Sequence, residues 1–442
     1  MRTEPGSLAA ILAFLLLCPL SAIHGQQRIE RDVVYRWHFG TALLLDIYHP
    51  REPNGAAIIW INGSGFHAAP PHLDWELKRA ERMHLATQPY LDAGFTIFSI
   101  NHRAAPEYRY PAALEDAQRA VRFARAHARR LGLDPSMVAA RGTSSGGHLA
   151  ALLGTLEAAG RPGALDPLDR LDAGVSAVVA IRASFDLTDS PSWPSGTARA
   201  VTSFIGTTVE QAPDLYAEGS PMSHVSQGDA SFLIVHGDAD DAIPIAQAEE
   251  MVDTLQAVGV AVEFVRLSGA GHGWRPTAYD ESHAALWLVR QFFGAERAGA
   301  VRPLLDAHHN LVTEWSEVDV PDVVRAMDVL TRARATDERL TVPGWYWNRV
   351  CWRGAIRQMA VIVISACDEA VRADPSDPEF RDSRGLARAL LGDLEGAIED
   401  FEFFLQEVTD EDRFNQRSEW TAQLRAGQNP FDEALLRRLG GG

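Results

Sequence analysis

Between residues 33 and 293 the chain alternates between two textures. Short, nearly continuous apolar runs stand at 56–61 (AAIIWI), 95–100 (FTIFSI), 137–142 (MVAARG), 175–181 (VSAVVAI), 231–237 (SFLIVHG) and 262–267 (VEFVRL). A strand covered on both faces has no polar side and reads in this way. Such strands belong to parallel sheets sandwiched between helices. Between them, residues 112–131, 147–158, 246–258 and 282–293 carry apolar positions at helical spacing. Strand and helix in alternation predict an α/β architecture, a doubly wound and mostly parallel sheet.

Past 293 the pattern changes. The stretch 294–303 (GAERAGAVRP) is small, polar and ends in proline, and it reads as a linker. Strand signals then fade, and residues 304–442 read as helices punctuated by glycine and proline. A period of about 34 residues runs through them. In 384–401 (RGLARALLGDLEGAIEDF), Gly385, Ala387, Gly392, Asp393, Ala397 and Phe401 sit at the spacing of a packed helix pair. This segment resembles a tetratricopeptide repeat, best over 378–411 and less closely over 345–377. Cys351 falls where Gly385 stands one period later, a departure from the repeat. Two repeats cannot bury a long solenoid, so helices at 321–334 and 418–439 are expected to cap them. The expected organisation is residues 26–297 as one domain and 304–442 as a second, all-helical one.

At 442 residues the chain exceeds one ordinary core, which fits two domains. A net charge of −18 speaks against nucleic acid as a partner. The apolar run 8–20 (LAAILAFLLLCPL) is short for a membrane span, with Arg2 before it and small residues after it. Residues 1–25 therefore read as a secretory signal peptide cleaved after Gly25, implying a secreted or periplasmic protein. An uncleaved N-terminal anchor is the alternative, and no other stretch is long and apolar enough to span a bilayer. Beyond Cys18, only Cys351 and Cys367 remain. They form neither a disulfide framework nor a metal motif and are expected as buried small hydrophobes, with a bridge left open.

The chemistry gathers around 141–153 (RGTSSGGHLAALL). Gly142-Thr143-Ser144-Ser145-Gly146 fits G-x-S-x-G between an apolar strand and a helix, the setting of a nucleophile elbow. The sharp turn demands glycine two residues before and after the nucleophile. Ser144 has Gly142 and Gly146 there, whereas Ser145 would have Thr143. Ser144 is therefore the candidate nucleophile, at a helix N-terminus that favours developing negative charge. A hydroxyl needs a base, and the base needs an orienting acid, in the chain order Ser, Asp, His. Asp240 in 235–244 (VHGDADDAIP) and His272 in 269–274 (GAGHGW) follow the last two predicted strands and supply that order. Asp238 and Asp241 read as turn formers. Acyl transfer also requires amide donors for an oxyanion. The backbone of Ser145 and the loop 62–65 (NGSG), through Ser64 and Gly65, are the candidates. This donor set needs no metal and no organic cofactor.

With these pieces together, residues 33–293 resemble the α/β-hydrolase superfamily, in its carboxylesterase/lipase branch near the hormone-sensitive-lipase and bacterial feruloyl-esterase-like groups. The resemblance is carried by 43–50 (LLLDIYHP), 62–66 (NGSGF), 94–135, 142–154, 236–244 and 271–274. Asn62 stands where the family's HGGG motif begins with His. The resemblance implies that Arg103, Pro106 and Asp116 brace the sheet and that His102 is a packing residue. It implies a cap over the site in the segment after 187, which holds Trp193, Pro194, Phe204, Ile205 and Met222 and whose apolar, aromatic character suits an ester's acyl or alcohol part, with residues 66–88 closing the other side. The expected activity is hydrolysis of a small carboxylic ester through an acyl-enzyme. A peptidase or lactonase with the same triad, and a non-enzymatic binding protein working through its repeats, are the alternatives. The helical part suggests a protein or peptide partner.

Overall fold

The computed structural model describes residues 28–67, 76–79, 83–273, 281–316, 322–337 and 339–440. The leader reading of residues 1–25 lies outside them, as does part of the segment 66–88. Among the described residues, no helix is long and apolar enough to cross a membrane.

Eight strands form one sheet: β1 (Arg28–His38), β2 (Thr41–His49), β3 (Ala57–Ile61), β4 (Thr96–Ile100), β5 (Val138–Thr143), β6 (Ala177–Ile181), β7 (Ser231–Gly237) and β8 (Val262–Leu267). Their spatial order is β1-β2-β4-β3-β5-β6-β7-β8. β1 and β2 run antiparallel at one edge, and β4 through β8 are parallel to one another. β3 to β6 are buried along nearly their whole length, which is why their sequences lack alternation. Helices cover both faces: α1 (Met83–Asp92), α2 (Ala112–Ala126), α3 (Ala128–Leu131) and α4 (Ser145–Thr155), then α5 (Ser195–Ile205), α6 (Pro213–Glu218) and α7 (Ala246–Ala257). Two apolar cores result, one on each face of the sheet. The direction of winding reverses at β3, between β4 and β5. The crevice outside the carboxyl ends of β3 and β5 is therefore the natural ligand position.

Most of the stretch expected as a linker, residues 295–303, is helical. Two helical segments, labelled together α8 (Ser282–Ser316), meet in a kink at Gly294, which takes φ +79°, and the second carries Pro303 within it. Ala298, Val301 and Leu305 pack into the core on the sheet, while Leu304, Ala307 and Leu311 pack into the core of the C-terminal part. The segment after the kink is thus shared by two cores. Its two apolar stripes leave too few apolar positions on either face to stand out in sequence.

The C-terminal part is all helix: α9 (Val323–Thr336), α10 (Gly344–Ala355), α11 (Ala360–Ala373), α12 (Pro378–Leu390), α13 (Leu394–Glu407), α14 (Glu411–Arg425) and α15 (Glu433–Gly440). The single capping helix expected over 418–439 is two helices, α14 and α15. Gly427 at φ +75° and Pro430 separate them. Gly385 on α12 lies under the Phe401 ring of α13, close enough that a Cβ there would stand 3.0 Å from it. The corresponding residues of the preceding pair are Cys351 and Cys367, and these are joined in a disulfide between α10 and α11. A covalent bond replaces a ring-on-glycine contact. The bridge that the sequence left open is formed, and both residues are fully buried, as expected.

The bond closes a loop with a sequence separation of 16 residues, for which chain entropy predicts a stabilisation of about 3 kcal/mol. The double variant Cys351→Ala/Cys367→Ala is expected to lower the melting temperature of the C-terminal helices by several degrees. A melting profile identical to that of the parent would argue against the bond.

Candidate active site

β5 ends at Thr143 and α4 begins at Ser145, so Ser144 is the whole of the turn between them. Its backbone sits at φ +53°, ψ −125°, a conformation that costs a non-glycine residue on the order of 1–3 kcal/mol. The neighbours explain how it is held. A Cβ on Gly142 would lie 2.1 Å from the Gly146 carbonyl oxygen, and one on Gly146 would lie 2.2 Å from that of Ile61. Both glycines are sterically obligatory. The Ser144 amide donates to the Ile181 carbonyl at 2.9 Å, locking the turn to β6.

The structure brings Ser144, Asp240 and His272 together. His272 Nε2 is 3.1 Å from Ser144 Oγ, and its Nδ1 is 2.8 Å from Asp240 Oδ2. A carboxylate can only accept, so Nδ1 carries the ring proton and Nε2 presents its lone pair to the serine hydroxyl. The Asp240 side chain is fully buried, and its Oδ1 accepts from the amides of Ala242 and Ile243, each at 2.9 Å. Burial works to raise its pKa. The bonds from His236, His272 and the Ile243 amide outweigh it and hold the carboxyl well below the usual carboxylate range. His236 lies behind the carboxylate, fully buried, with Nε2 3.0 Å from the Ile243 carbonyl oxygen and 3.3 Å from Asp240 Oδ2.

Asp238 and Asp241 do more than form a turn. Asp238 Oδ1 accepts from the Gly269 amide at 2.6 Å, and Asp241 Oδ1 lies 3.5 Å from the His272 amide. Arg182, at φ +45°, donates from its guanidinium to the His272 carbonyl. The glycine loop bearing His272 is thus held from both sides. None of these three contacts has a sequence signature, because each joins elements more than 30 residues apart.

The loop 62–65 differs from expectation at one amide. The Ser64 amide is not open: it donates to Ser145 Oγ at 2.9 Å. The Gly63 amide donates to Thr143 Oγ1 at 3.2 Å. Gly65 turns the chain at φ +62°, and Ser145 opens α4 with an amide that has no intrahelical acceptor. Asn62 accepts from the Trp60 indole at 3.1 Å and donates to the Leu77 carbonyl at 2.6 Å, so it ties the loop down from behind.

Arg103 and Asp116 form a buried pair, Nε to Oδ2 at 2.9 Å, and the Arg103 amide also donates to Asp116 at 2.8 Å. His102 is buried, with Nδ1 donating to the Arg103 carbonyl. The cap residues are corrected. Trp193, Phe204 and Ile205 are buried in the core, not presented to a ligand. Phe204 stacks on Phe66 at 4.0 Å between ring centroids, and His148 meets Phe66 edge-on at 5.3 Å. Helix α5 spends its apolar face on fixing the cap to the domain. Among the described residues, no group of three or more His, Cys, Asp or Glu side chains is arranged to hold a metal.

Residues 45–255 match the BD-FAE family. The chain is 31% identical to Esterase LipC of Mycobacterium tuberculosis over 242 residues, 53% of this chain and 57% of that one. It is 28% identical to Esterase LipQ of the same organism over 208 residues, 46% of this chain and 48% of that one. The chain thus spans about half the length of these curated relatives. Among solved structures it is similar to a truncated form of a carbohydrate esterase from gut microbiota. That similarity has a TM-score of 0.52 at 29% identity, covering 61% of this chain and 98% of the other.

His148 lies one turn into α4, and burial presses its pKa from 6.5 to about 4, against a bond to the Ser184 carbonyl. A folded value below the unfolded one means that protonation favours unfolding. The contribution of neutral His148 is complete above pH 6.5 and is lost as the pH falls toward 4. Between those limits the parent is expected to lose on the order of 1 kcal/mol per pH unit more than His148→Met. Denaturant midpoints measured from pH 7.5 to 4.5 check this, and parallel curves would contradict it.

Proposed function

We propose that this chain, an α/β-hydrolase over the residues matched to the BD-FAE family, hydrolyses carboxylic esters through Ser144, His272 and Asp240. The observation that carries the reading is the unbroken line of contacts from Ser144 Oγ through His272 to Asp240, at 3.1 and 2.8 Å, outside the carboxyl ends of the sheet. The similarity to mycobacterial esterases supports the same chemistry. In this mechanism Ser144 Oγ attacks the ester carbonyl carbon while His272 Nε2 takes the hydroxyl proton. Asp240 holds the tautomer and stabilises the imidazolium. The tetrahedral intermediate collapses, the C–O bond to the alcohol breaks, and His272 returns the proton to the departing oxygen. A water molecule, deprotonated by His272, then cleaves the acyl-enzyme and frees the acid.

The resemblance to a carbohydrate esterase makes an acyl group on a saccharide the first substrate class to test. Secretion is supported by the apolar leader at 8–20 and by the Cys351–Cys367 bond, which suits an oxidising compartment. The C-terminal helices are read as tetratricopeptide-like, since α10, α12 and α14 begin at Gly344, Pro378 and Glu411. Their groove of about 530 Å³, lined by Trp345, Arg349, Trp352, Arg413 and Arg417, is the proposed seat of a protein or peptide partner.

A fluorophosphonate probe is expected to label Ser144, as read by peptide mass mapping. Ser144→Ala is expected to lose about 10⁶-fold in kcat on p-nitrophenyl esters. Turnover of p-nitrophenyl esters but not of aminoacyl p-nitroanilides would separate an esterase from a peptidase. Folded protein that resists the probe and turns over neither would overturn the reading.

A further inference from the structure

The two residues beside the nucleophile are free positions in the elbow pattern, yet here both carry hydroxyls, and both hydroxyls accept from the same loop. The parallel ladder between β3 and β5 ends at Ile61 and Gly142. Beyond it the two chains diverge, one into the oxyanion loop and the other into the nucleophile turn. Side-chain oxygens continue the ladder where backbone carbonyls no longer can. The Gly63 amide donates to Thr143 Oγ1 at 3.2 Å, and the Ser64 amide donates to Ser145 Oγ at 2.9 Å.

The packing leaves no slack between these chains. A Cβ on Gly63 would stand 2.5 Å from the Thr143 carbonyl oxygen and 2.9 Å from the Ser144 Cβ. One on Gly146 would strike the Ile61 carbonyl. Ser145 itself is buried, at 2% exposure. Loop and elbow therefore touch backbone to backbone, with two hydroxyls fixing their relative height.

We propose that Thr143 and Ser145 are positioning residues. Their hydroxyls set the loop 63–65 against the nucleophile, so that the oxyanion is received by the amides of Gly65 and Ser145 and not by that of Ser64. The inference rests on the ester-hydrolase reading above and deepens it. An oxyanion donor must lie within about 2.7–3.1 Å of an atom that exists only in the transition state. A loop free to drift by a few tenths of an ångström loses that match without losing the ability to bind substrate. The loss therefore falls on kcat and leaves KM alone.

The test uses the full-length chain and the variants Ser145→Ala, Thr143→Val and Thr143→Ser. Thr143→Val keeps the shape and removes the acceptor, while Thr143→Ser restores it. Each is assayed for kcat and KM on p-nitrophenyl acetate and for the Ki of an aryl trifluoromethyl ketone. That inhibitor adds to the serine hydroxyl and places a negative oxygen in the hole. Ser145→Ala and Thr143→Val are each expected to lower kcat about 5-fold, the size of one neutral hydrogen bond. KM should stay within about twofold, the ketone Ki should rise by the same factor as kcat falls, and Thr143→Ser should recover most of both. If Ser145→Ala does not fold, the two Thr143 variants decide alone. Parental kcat and Ki in the folded variants would overturn the proposal. A Ser145→Ala variant faster than the parent would do so too, since it would show the hydroxyl obstructing the Ser64 amide. A parent left unlabelled by the fluorophosphonate overturns the triad reading, and this inference with it. A labelled parent with indifferent variants overturns this inference alone.

Discussion

A serine held at φ +53° survives only where its surroundings leave it no alternative, and three glycines supply that condition here. Gly142 and Gly146 are pressed onto each other, Gly146 onto the end of β3, and Gly63 onto Ser144 itself. The strain of one residue is thus carried by backbone contacts among three segments, the ends of β3 and β5 and the start of α4. The exposure of Ser144, its place at a helix N-terminus and the approach of the loop 63–65 all follow from that single junction. A methyl group at any of the three glycines would push the segments apart and move all of these features together.

Asp240 and His272 are organised by a different device. The loop after β7 carries three aspartates within four residues, and the structure gives each a separate task. Asp240 turns inward to His272, while Asp238 and Asp241 reach the backbone of the loop that carries His272. Arg182 holds that loop at its carbonyl. A glycine-rich loop would otherwise sample many conformations, and each of these contacts removes some of that freedom before a substrate arrives.

The helical part closes the contact between neighbouring helices in two different ways. Where one helix pair seats Phe401 over Gly385, the preceding pair has Cys367 opposite Cys351, and a bond spans the gap that a ring would have filled. Two cores meet in α8, whose neighbouring turns bury Val301 and Leu305 on one side and Leu304 and Ala307 on the other. Unfolding of either core would expose part of that helix, so the stabilities of the two are linked through it.

The order of strands and helices, the sheet covered on both faces, the all-helical end and the sharp turn at Ser144 were legible in the chain. Burial, helical spacing and the steric demand for glycine act over a few residues, and they leave a local trace. Asp240 and His272 were legible as candidates because they lie on loops after successive strands. That they meet Ser144 at hydrogen-bond distance is a fact of the folded sheet. The expected linker at 294–303, the single helix at 418–439, the ligand-facing cap aromatics and the open Ser64 amide were each altered by packing. Residues far apart in sequence decided them: two cores competing for one helix, Phe66 meeting Phe204, and Ser145 meeting Ser64. A sequence records what each residue prefers among its neighbours. Which distant partner takes a given amide or ring is settled only when the sheet brings the ends of its strands together.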